Sequence, residues 1–435
     1  MHKLRMLTGY RVLDFTQIVA GPTCTRLLAE MGAEVIKVEL APGGDRVRAL
    51  GLKPRDPKYR GSSQSTYFVQ HNHSKWSFAV DFRNPKTQAL LRQLVTKSNV
   101  VVENFSPGVM ARAGLAYENL RVLNPSIVMC SISMAGQTGP LSQAPGFDYI
   151  AAAYAGAADQ FGEADRGPAL IPLAIGDSYT GVTAAMTICV ALLHRERTGE
   201  GQYVEATLVD SWFHMEQVNV PRVSLRGEAA LPVRAGSLHP DGGPTGNFRY
   251  SDKEYIAITV LPHQWKQFAA ATGLPGLETD PRFATPRARR DNNEALRDLI
   301  EAWLQSFSSG AAAVAALERH RVPCAPVLNL AEAIAHPHLR ARRTVRRVKD
   351  SHLGEFDITG MPAKFSIWPE HENLKGDLLG EHNEQILSEI LGCLQGEITA
   401  LYREGAIVRD PCLEREMSGE ARLLLSDRTA MNSSR

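Results

Sequence analysis

The opening third of the chain alternates short apolar runs with amphipathic stretches, and this alternation restricts the fold more than any other feature. "YRVLDFT" reads as a strand. "AGPTCTRLLAEMG" has Pro22 at a helix start, an apolar face at Leu27, Leu28 and Met31, and Gly32 as a stop; "AEVIKVE" is a second strand. Strands of this length joined through a helix make a βαβ unit, and a βαβ unit makes a parallel sheet. The pattern recurs in "WSFAVDF", "NPKTQALLRQLVTKS", "NVVVENF", a helix-prone stretch near "GVMARAGL", and "PSIVMCSIS". The expected class is α/β with a parallel sheet.

Further on, a helix is expected from Asp177 through "SYTGVTAAMTICVALLHRERTG", stopping at Gly199 and Gly201, with "GQYVEATLVDS" as a strand. Between Val220 and Gly246 the chain is rich in Pro, Gly and Arg and reads as linker and loop. "EYIAITV" and the amphipathic segments from Gln264 to Leu317 then suggest a smaller inserted domain, and "HRVPCAPVLNLAEAI" a return to the main body. The tail from about Arg409 is polar and irregular, and part of it is expected to be disordered.

With 48 basic and 47 acidic residues among 435, the formal charge is +1, so nothing points to a nucleic-acid partner. The basic clusters "RARR" at Arg287–Arg290 and "LRARRTVRRVK" at Leu339–Lys349 read as solvated faces or local anion sites. The six cysteines are unpaired by spacing and suit reduced, buried thiols in a cytoplasmic protein. No apolar run approaches the roughly 20 residues of a membrane helix, and the N-terminus shows no signal-peptide pattern.

Most motifs exclude rather than assign. The first βα turn, "TQIVAGP", carries one glycine where a dinucleotide fold would want GxGxxG. "HNH" at His71–His73 and "HPH" at His336–His338 lack carboxylates or thiols at ligand spacing, so no metal site is expected. There is no GxSxG. "GGPTG", Gly242 to Gly246, lacks the Lys-Ser/Thr ending of a P-loop and reads as a surface loop or lid. What remains is "IPLAIGDSYTG", where an apolar run stops at Gly176 and a single carboxylate, Asp177, follows. On local grounds it is a helix N-cap. "GFDY" places a second acid, Asp148, beside an aromatic; two such acids can meet at a strand-end crevice.

An ordered set of segments resembles the class III CoA-transferases, a family that includes formyl-CoA and carnitine CoA-transferases. They are "GYRVLDFTQIVAGPTCTRLLAEMGAEVIKVE", "VVENFSPGVMARAGL", "NPSIV", "GQTGP", "GFDYIAAAYAG", "IGDSYTG", "LLHRERTGEGQYVEATLVDS", "VPCAPV" and "LGEH", covering roughly residues 5 to 407. The resemblance implies that Asp177 is the catalytic nucleophile. It implies CoA contacts at Asn104, Phe105 and Arg112 in "ENFSPGVMARAG", a basic residue near the nucleotide at Arg83, and Gln17 at the thioester end. Asp148 matches an acid beside the nucleophile, and Gly242, Gly243 and Gly246 fall where the family carries a closing glycine-rich loop. Val19 stands where formyl-CoA transferases have a polar residue and Phe147 where they have a tyrosine, which makes the acyl pocket more apolar. Related racemases need a histidine where Phe147 stands, so a racemase, an isomerase or a non-catalytic CoA-binding protein is the alternative.

The resemblance further implies a homodimer of interlocked ring-shaped chains, for which a stable folded monomer is not expected. Each chain would hold a Rossmann-like large domain (1–220 and 321–407), a linker with the glycine-rich loop (221–246), a small α+β domain (247–320) and an extension (408–435). The substrates would be an acyl-CoA donor and a carboxylic acid acceptor. No cofactor would be permanently bound, and no membrane or nucleic-acid partner is expected. Arg222, Arg226 and Arg234 are candidates for the second carboxylate of a dicarboxylic substrate. A serine ester would be a sink for the thioester's energy, whereas an aspartyl anhydride stays activated. That chemistry needs an ionised Asp177, which Gly176, Ser178 and nearby N–H groups are expected to favour.

Overall fold

Valines and isoleucines fill both faces of the early strands, so these strands must be buried on both sides. In the computed structural model, which describes residues 5–367 and 374–415, they are. The strands are β1 (Arg11–Asp14), β2 (Glu34–Leu40), β3 (Trp76–Val80), β4 (Val100–Glu103), β5 (Val128–Ser133) and β6 (Tyr203–Thr207). All pair in parallel, in the order β3-β2-β1-β4-β5-β6. The chain therefore works outward from β1, then reverses to β4 on its other side. The crevice at the carboxyl ends of β1 and β4 is the topological switch point, where open α/β sheets bind ligands.

The first helices that accompany this sheet are α1 (Ala20–Glu30), α2 (Thr66–Asn72), α3 (Pro85–Thr96), α4 (Val109–Arg112), α5 (Tyr117–Leu123), α6 (Asp148–Tyr154), α7 (Ile175–Thr198) and α8 (Leu208–His214). The strand expected over "GQYVEATLVDS" ends at Thr207, whose hydroxyl accepts the Asp210 N–H at 2.9 Å and turns the chain into α8. α7 is long and apolar enough, by length and composition, to cross a membrane, contrary to the sequence reading. Here it packs along α1 and against β5 and β6. At its closest approach a Cβ on Gly181 would lie 2.6 Å from the Ala20 carbonyl, so only glycine lets the two helices meet.

The chain divides into two compact units. The first holds residues to Tyr154, Leu173–His214 and those from His338; the second holds Ala155–Pro172 and Met215–Pro337. In the second, the expected linker contains a helix, α9 (Asn219–Arg226), whose Pro221 sits in the first turn where no intrahelical N–H is needed. β7 (Thr245–Arg249), β8 (Tyr255–Thr259) and β9 (Cys324–Pro326) form an antiparallel sheet. Helices α10 (Trp265–Thr272), α11 (Pro286–Asp291), α12 (Asn293–Leu304), α13 (Gly310–Arg319) and α14 (Leu330–Ala335) complete the unit. Phe248, Ile256, Phe268, Phe283, Ile300 and Leu317 form its own core. Because β9 pairs with β8, "VPCAPV" stays in this unit and the return falls at His338 instead of Arg321.

The rest of the first unit begins with α15 (Pro337–Ala341) and the hairpin β10 (Val345–Asp350) and β11 (Gly354–Thr359). The basic cluster here is solvated as expected at Arg342, Arg343 and Lys349, and its other arginines are held by carboxylates. Arg340 chelates Asp357 at 2.7–2.8 Å, Arg347 reaches the same carboxylate at 2.8 Å, and buried Arg346 holds Glu30 at 2.6 Å. α16 (Asn383–Gln385), a π-turn over Ile386–Ile390 and α17 (Gln395–Arg403) bring Ile386, Leu387, Ile398 and Ile407 into the core formed by Leu13, Ile36, Phe78 and Val101. The start of the expected disordered extension is packed. Asp410 is fully buried and accepts the Ser63 N–H at 2.6 Å and the Cys412 N–H at 2.7 Å. Residues 416–435 lie outside the described residues.

Candidate active site

Two sequence-predicted residues meet at the switch point. Asn104, just past β4, accepts the Gln17 N–H and donates to the Gln17 carbonyl, both at 2.8 Å. The side chain thus mimics a strand across the crevice and fixes the turn after β1. That turn is strained: Ile18 has φ 73°, a left-handed conformation costly for a β-branched residue. Its N–H donates to Asp45 Oδ1 at 3.1 Å. Lys37 Nζ lies 2.9 Å from Asp45 Oδ2 and donates to the Thr16 carbonyl at 2.8 Å, so one buried ion pair grips the turn from below.

The same network continues inward. Asp14 accepts from Thr16 at 2.5 Å, Thr25 at 2.7 Å and Lys75 at 3.0 Å. Burial alone would raise its pKa, but Lys37, Lys75 and the two hydroxyls outweigh that and hold it at about 2. Burial lowers Lys75 to about 8, with Asp14 opposing. His71 is pushed down to about 3 by burial and by nearby cations, so "HNH" is a buried structural segment. Among the described residues no His, Cys, Asp or Glu cluster could hold a metal ion.

Asp177 stands in the first turn of α7. It is not the cap: Ala174 occupies that position and makes no side-chain cap bond. Gly181, one turn on, touches the start of α1, the helix that directly follows the Gln17–Val19 turn. No described side chain donates a hydrogen bond to its carboxylate, and Ser178 is exposed. The expectation of an environment favouring ionisation is therefore overturned. The helix N-terminus favours the anion, but burial and then the Asp148 charge push Asp177 up to about 7. Tyr67 of α2 shares the site; burial, then Asp177, Asp45 and Tyr149, raise its phenol.

Asp148 opens α6 and is buried. It accepts the Trp212 indole N–H at 2.5 Å through Oδ1, while Oδ2 is buried without a partner. A Cβ on Gly176 would come closer than 3.0 Å to both the indole nitrogen and Oδ1. Glycine here lets the neighbouring acid close on the turn that carries Asp177. Val19 is buried, whereas Phe147 is 65% exposed.

The remaining expected residues are spread out. Phe105 is part-buried against Phe82, at 6.1 Å between ring centroids. The Arg112 guanidinium folds back toward Gly108, and Arg83 is almost fully exposed with Asp81 at 3.1 Å. Arg222 is engaged bidentate by Asp241 at 2.9–3.0 Å, and Arg234 binds Asp159 at 2.8 Å, so neither is the free cation expected; Arg226 is exposed. The glycine-rich segment is anchored. Gly242 has φ 81°, Gly246 lies in β7, and the Gly243 carbonyl accepts from buried Arg289 at 2.7 Å. Thr245 and Pro244 carbonyls accept from His239 and Val260 at 2.9 Å.

Four residues escaped the sequence reading. Trp212, Tyr67 and Asp45 carry no local motif. Glu103 had a signal, an acid ending the apolar run "VVVE" directly before Asn104. It lines a cavity of about 310 Å³ with Ser131 and Tyr203, accepts the Phe105 N–H at 2.8 Å, and is pushed to about 7 by burial.

A parallel sheet in the 321456 order, a reinforced turn at its switch point and an acid in the first turn of a neighbouring helix define an α/β protein with a ligand-binding crevice at that point. The family model for CoA-transferase family III matches residues 7–383, and the chain belongs to that family. It is 33% identical to a succinyl-CoA–D-citramalate CoA-transferase of Chloroflexus aurantiacus, over 93% of this chain and 98% of that one. It is likewise 33% identical to a formyl-CoA:oxalate CoA-transferase of Bradyrhizobium diazoefficiens, over 93% and 97%. A solved CaiB/BaiF family protein from Brucella suis superposes with a TM-score of 0.78 at 32% identity, covering 89% of this chain and all of that one. A Mycobacterium tuberculosis protein gives 0.74 at 28%, over 88% and 99%. The chain is a transferase that acts on CoA thioesters.

Proposed function

We propose that the protein moves CoA between two carboxylic acids through covalent intermediates on Asp177. One observation carries this reading: Asp177 is a part-buried carboxylate with no side-chain hydrogen-bond donor among the described residues, in the first turn of a helix packed on α1, in a CoA-transferase chain. A carboxylate stripped of donors is basic and hence nucleophilic once ionised. Its oxygen attacks the thioester carbonyl carbon, the C–S bond breaks, and CoA departs as thiolate, leaving an aspartyl mixed anhydride. The thiolate then attacks the aspartyl carbonyl, freeing the donor acid and leaving an aspartyl thioester. An incoming carboxylate reverses both steps and leaves with CoA.

Gln17, Asn104, Phe105, Arg112 and Arg83 are assigned to CoA, with Asn104 acting by fixing the Gln17 backbone. Val19 and Phe147 favour an apolar acyl group, and Asp148 neighbours the nucleophile. Because succinate, citramalate and oxalate in the relatives' names are dicarboxylic acids, dicarboxylates are the first acceptors to try. Phe147 supplies no proton-transfer group ahead of Asp148, which disfavours racemisation. No cofactor is needed beyond the CoA substrate.

A homodimer accounts for the exposed row Val182, Met186, Val190 and Leu193 on α7, whose spacing puts an apolar stripe on one helix face. All six cysteines are free, which suits the cytoplasm. The test is a donor–acceptor screen by mass spectrometry, followed by hydroxylamine quench during turnover. Hydroxylamine displaces CoA from the aspartyl thioester and leaves a hydroxamate, which belongs on Asp177 and must vanish in Asp177→Asn; an unmodified Asp177 in a turning-over enzyme refutes the reading.

A further inference from the structure

We propose that Trp212 is a positioning residue: its indole N–H pins the Asp148 carboxylate against the first turn of α7, so that the field of Asp148 falls on Asp177. This rests on Asp177 being the nucleophile. Three observations point the same way. The Trp212 Nε1 to Asp148 Oδ1 bond is 2.5 Å long, between two side chains that are each only 5% exposed. Gly176, the residue before Asp177, has no room for a methyl group because the indole nitrogen and Oδ1 occupy that space. Asp148 Oδ2 is buried with no partner, so the charge of this carboxylate is poorly screened.

The other titratable groups around the turn are Tyr149 on α6, Tyr67 on α2, and Asp45. α8 adds His214, stacked on Tyr179 at 6.2 Å, while α1 meets α7 through uncharged Ala20 and Thr23. Asp148 is the charged group that opposes ionisation of Asp177.

The arrangement favours acylation. When the Asp177 oxygen bonds to the acyl carbon and the C–S bond breaks, the negative charge leaves position 177 and departs on the CoA sulfur. The anhydride and the aspartyl thioester are both neutral at Asp177, so repulsion from Asp148 is felt by the free carboxylate and relieved in either covalent state. Pinning Asp148 keeps that repulsion aimed at the reacting group.

The test follows Asp177 ionisation in [4-13C]aspartate-labelled protein, with the signal assigned by its loss in Asp177→Asn, alongside the acid limb of kcat/KM. In Trp212→Phe the Asp148 carboxylate is free to turn away, and both midpoints fall by about one pH unit, a roughly tenfold weaker proton affinity. Asp148→Asn lowers them at least as far, and Trp212→Phe in that background adds nothing. Should Trp212→Phe not fold, replacing Trp212 by its benzothiophene isostere removes only the N–H and is expected to give the same shift. Unmoved midpoints in whichever Trp212 variant folds, or additive shifts in the double variant, overturn the proposal. Persistent turnover in Asp177→Asn would instead defeat the nucleophile assignment while leaving the NMR comparison intact.

Discussion

Gly176→Ala is the most direct probe of how closely the two acids are packed. Gly176 is the second residue of α7, and the added methyl would come closer than 3.0 Å to Trp212 Nε1 and Asp148 Oδ1. Neither neighbour is the far end of a flexible surface chain, since both are buried and bonded to each other. Overpacking of this kind costs about 1–3 kcal/mol. Alanine gains up to about 1 kcal/mol over glycine from helix propensity alone, which confuses the raw number. Gly396 removes that confusion: it is the second residue of α17, and a Cβ there meets nothing within 4 Å. The two substitutions share the propensity gain, so their difference in urea-unfolding free energy isolates the clash at about 1–3 kcal/mol. Gly176→Ala should also lose most transferase activity, because the methyl must displace the Asp148 carboxylate. Equal stability of the two variants with wild-type turnover would refute the packing argument.

Four further outcomes follow from the same geometry. Asp177 binds its proton in the folded protein up to about pH 7 but in the unfolded chain only below about 4, so its contribution to stability falls as pH rises between those values. Asp177→Asn should therefore gain about 2–3 kcal/mol relative to wild type on going from pH 5 to pH 8, read by denaturation at both. If the ionised form is the nucleophile, kcat/KM should rise with pH through about 7 and level off above it. Asn104→Ala removes both hydrogen bonds to the Gln17 backbone and should cost about 1–3 kcal/mol, with KM for the acyl-CoA rising more than kcat falls. Asp45→Ala removes the nearest carboxylate from Lys37, which keeps Asp14 at 3.9 Å, and releases the Ile18 N–H, a loss of about 1–3 kcal/mol by thermal unfolding.

The parallel sheet was legible because its signal is local and repeated. Apolar strand runs alternate with helices that start near Pro22 or at Pro85 and stop near Gly32; β1, β3, β4 and β5 fall within the expected segments and β2 runs one residue past its own. Where the expectation failed, a tertiary or capping contact had won. The hydroxyl of Thr207 turned an apparent strand into α8. β9 was drawn into the second unit's sheet by pairing with β8, although its sequence looks like a simple return. The basic run after Leu339 reads as free charge, yet its partners Asp357 and Glu30 lie 17 and 316 residues away from the arginines they bind. No window of sequence contains the second of those pairs.

The candidate site was half legible for the same reason. Asp177, Asn104 and Gln17 stand in recognisable segments, so they could be named before their contacts were known. The ionisation state of Asp177 could not. Small neighbours such as Gly176 and Ser178 suggested a hydrated, donor-rich setting, whereas Gly176 is small because Asp148 and Trp212 fill the space beside it. A glycine next to an acid thus carries opposite electrostatic meanings according to what approaches it. Here what approaches is a second carboxylate, and under the proposed mechanism the environment that makes Asp177 harder to ionise is the one that makes its neutral acylated forms easier to reach. For a nucleophile that must be acylated, give up its acyl group and be acylated again, a modest penalty on the free anion evens the steps. A fully stabilised carboxylate would instead rest in its lowest state and attack slowly.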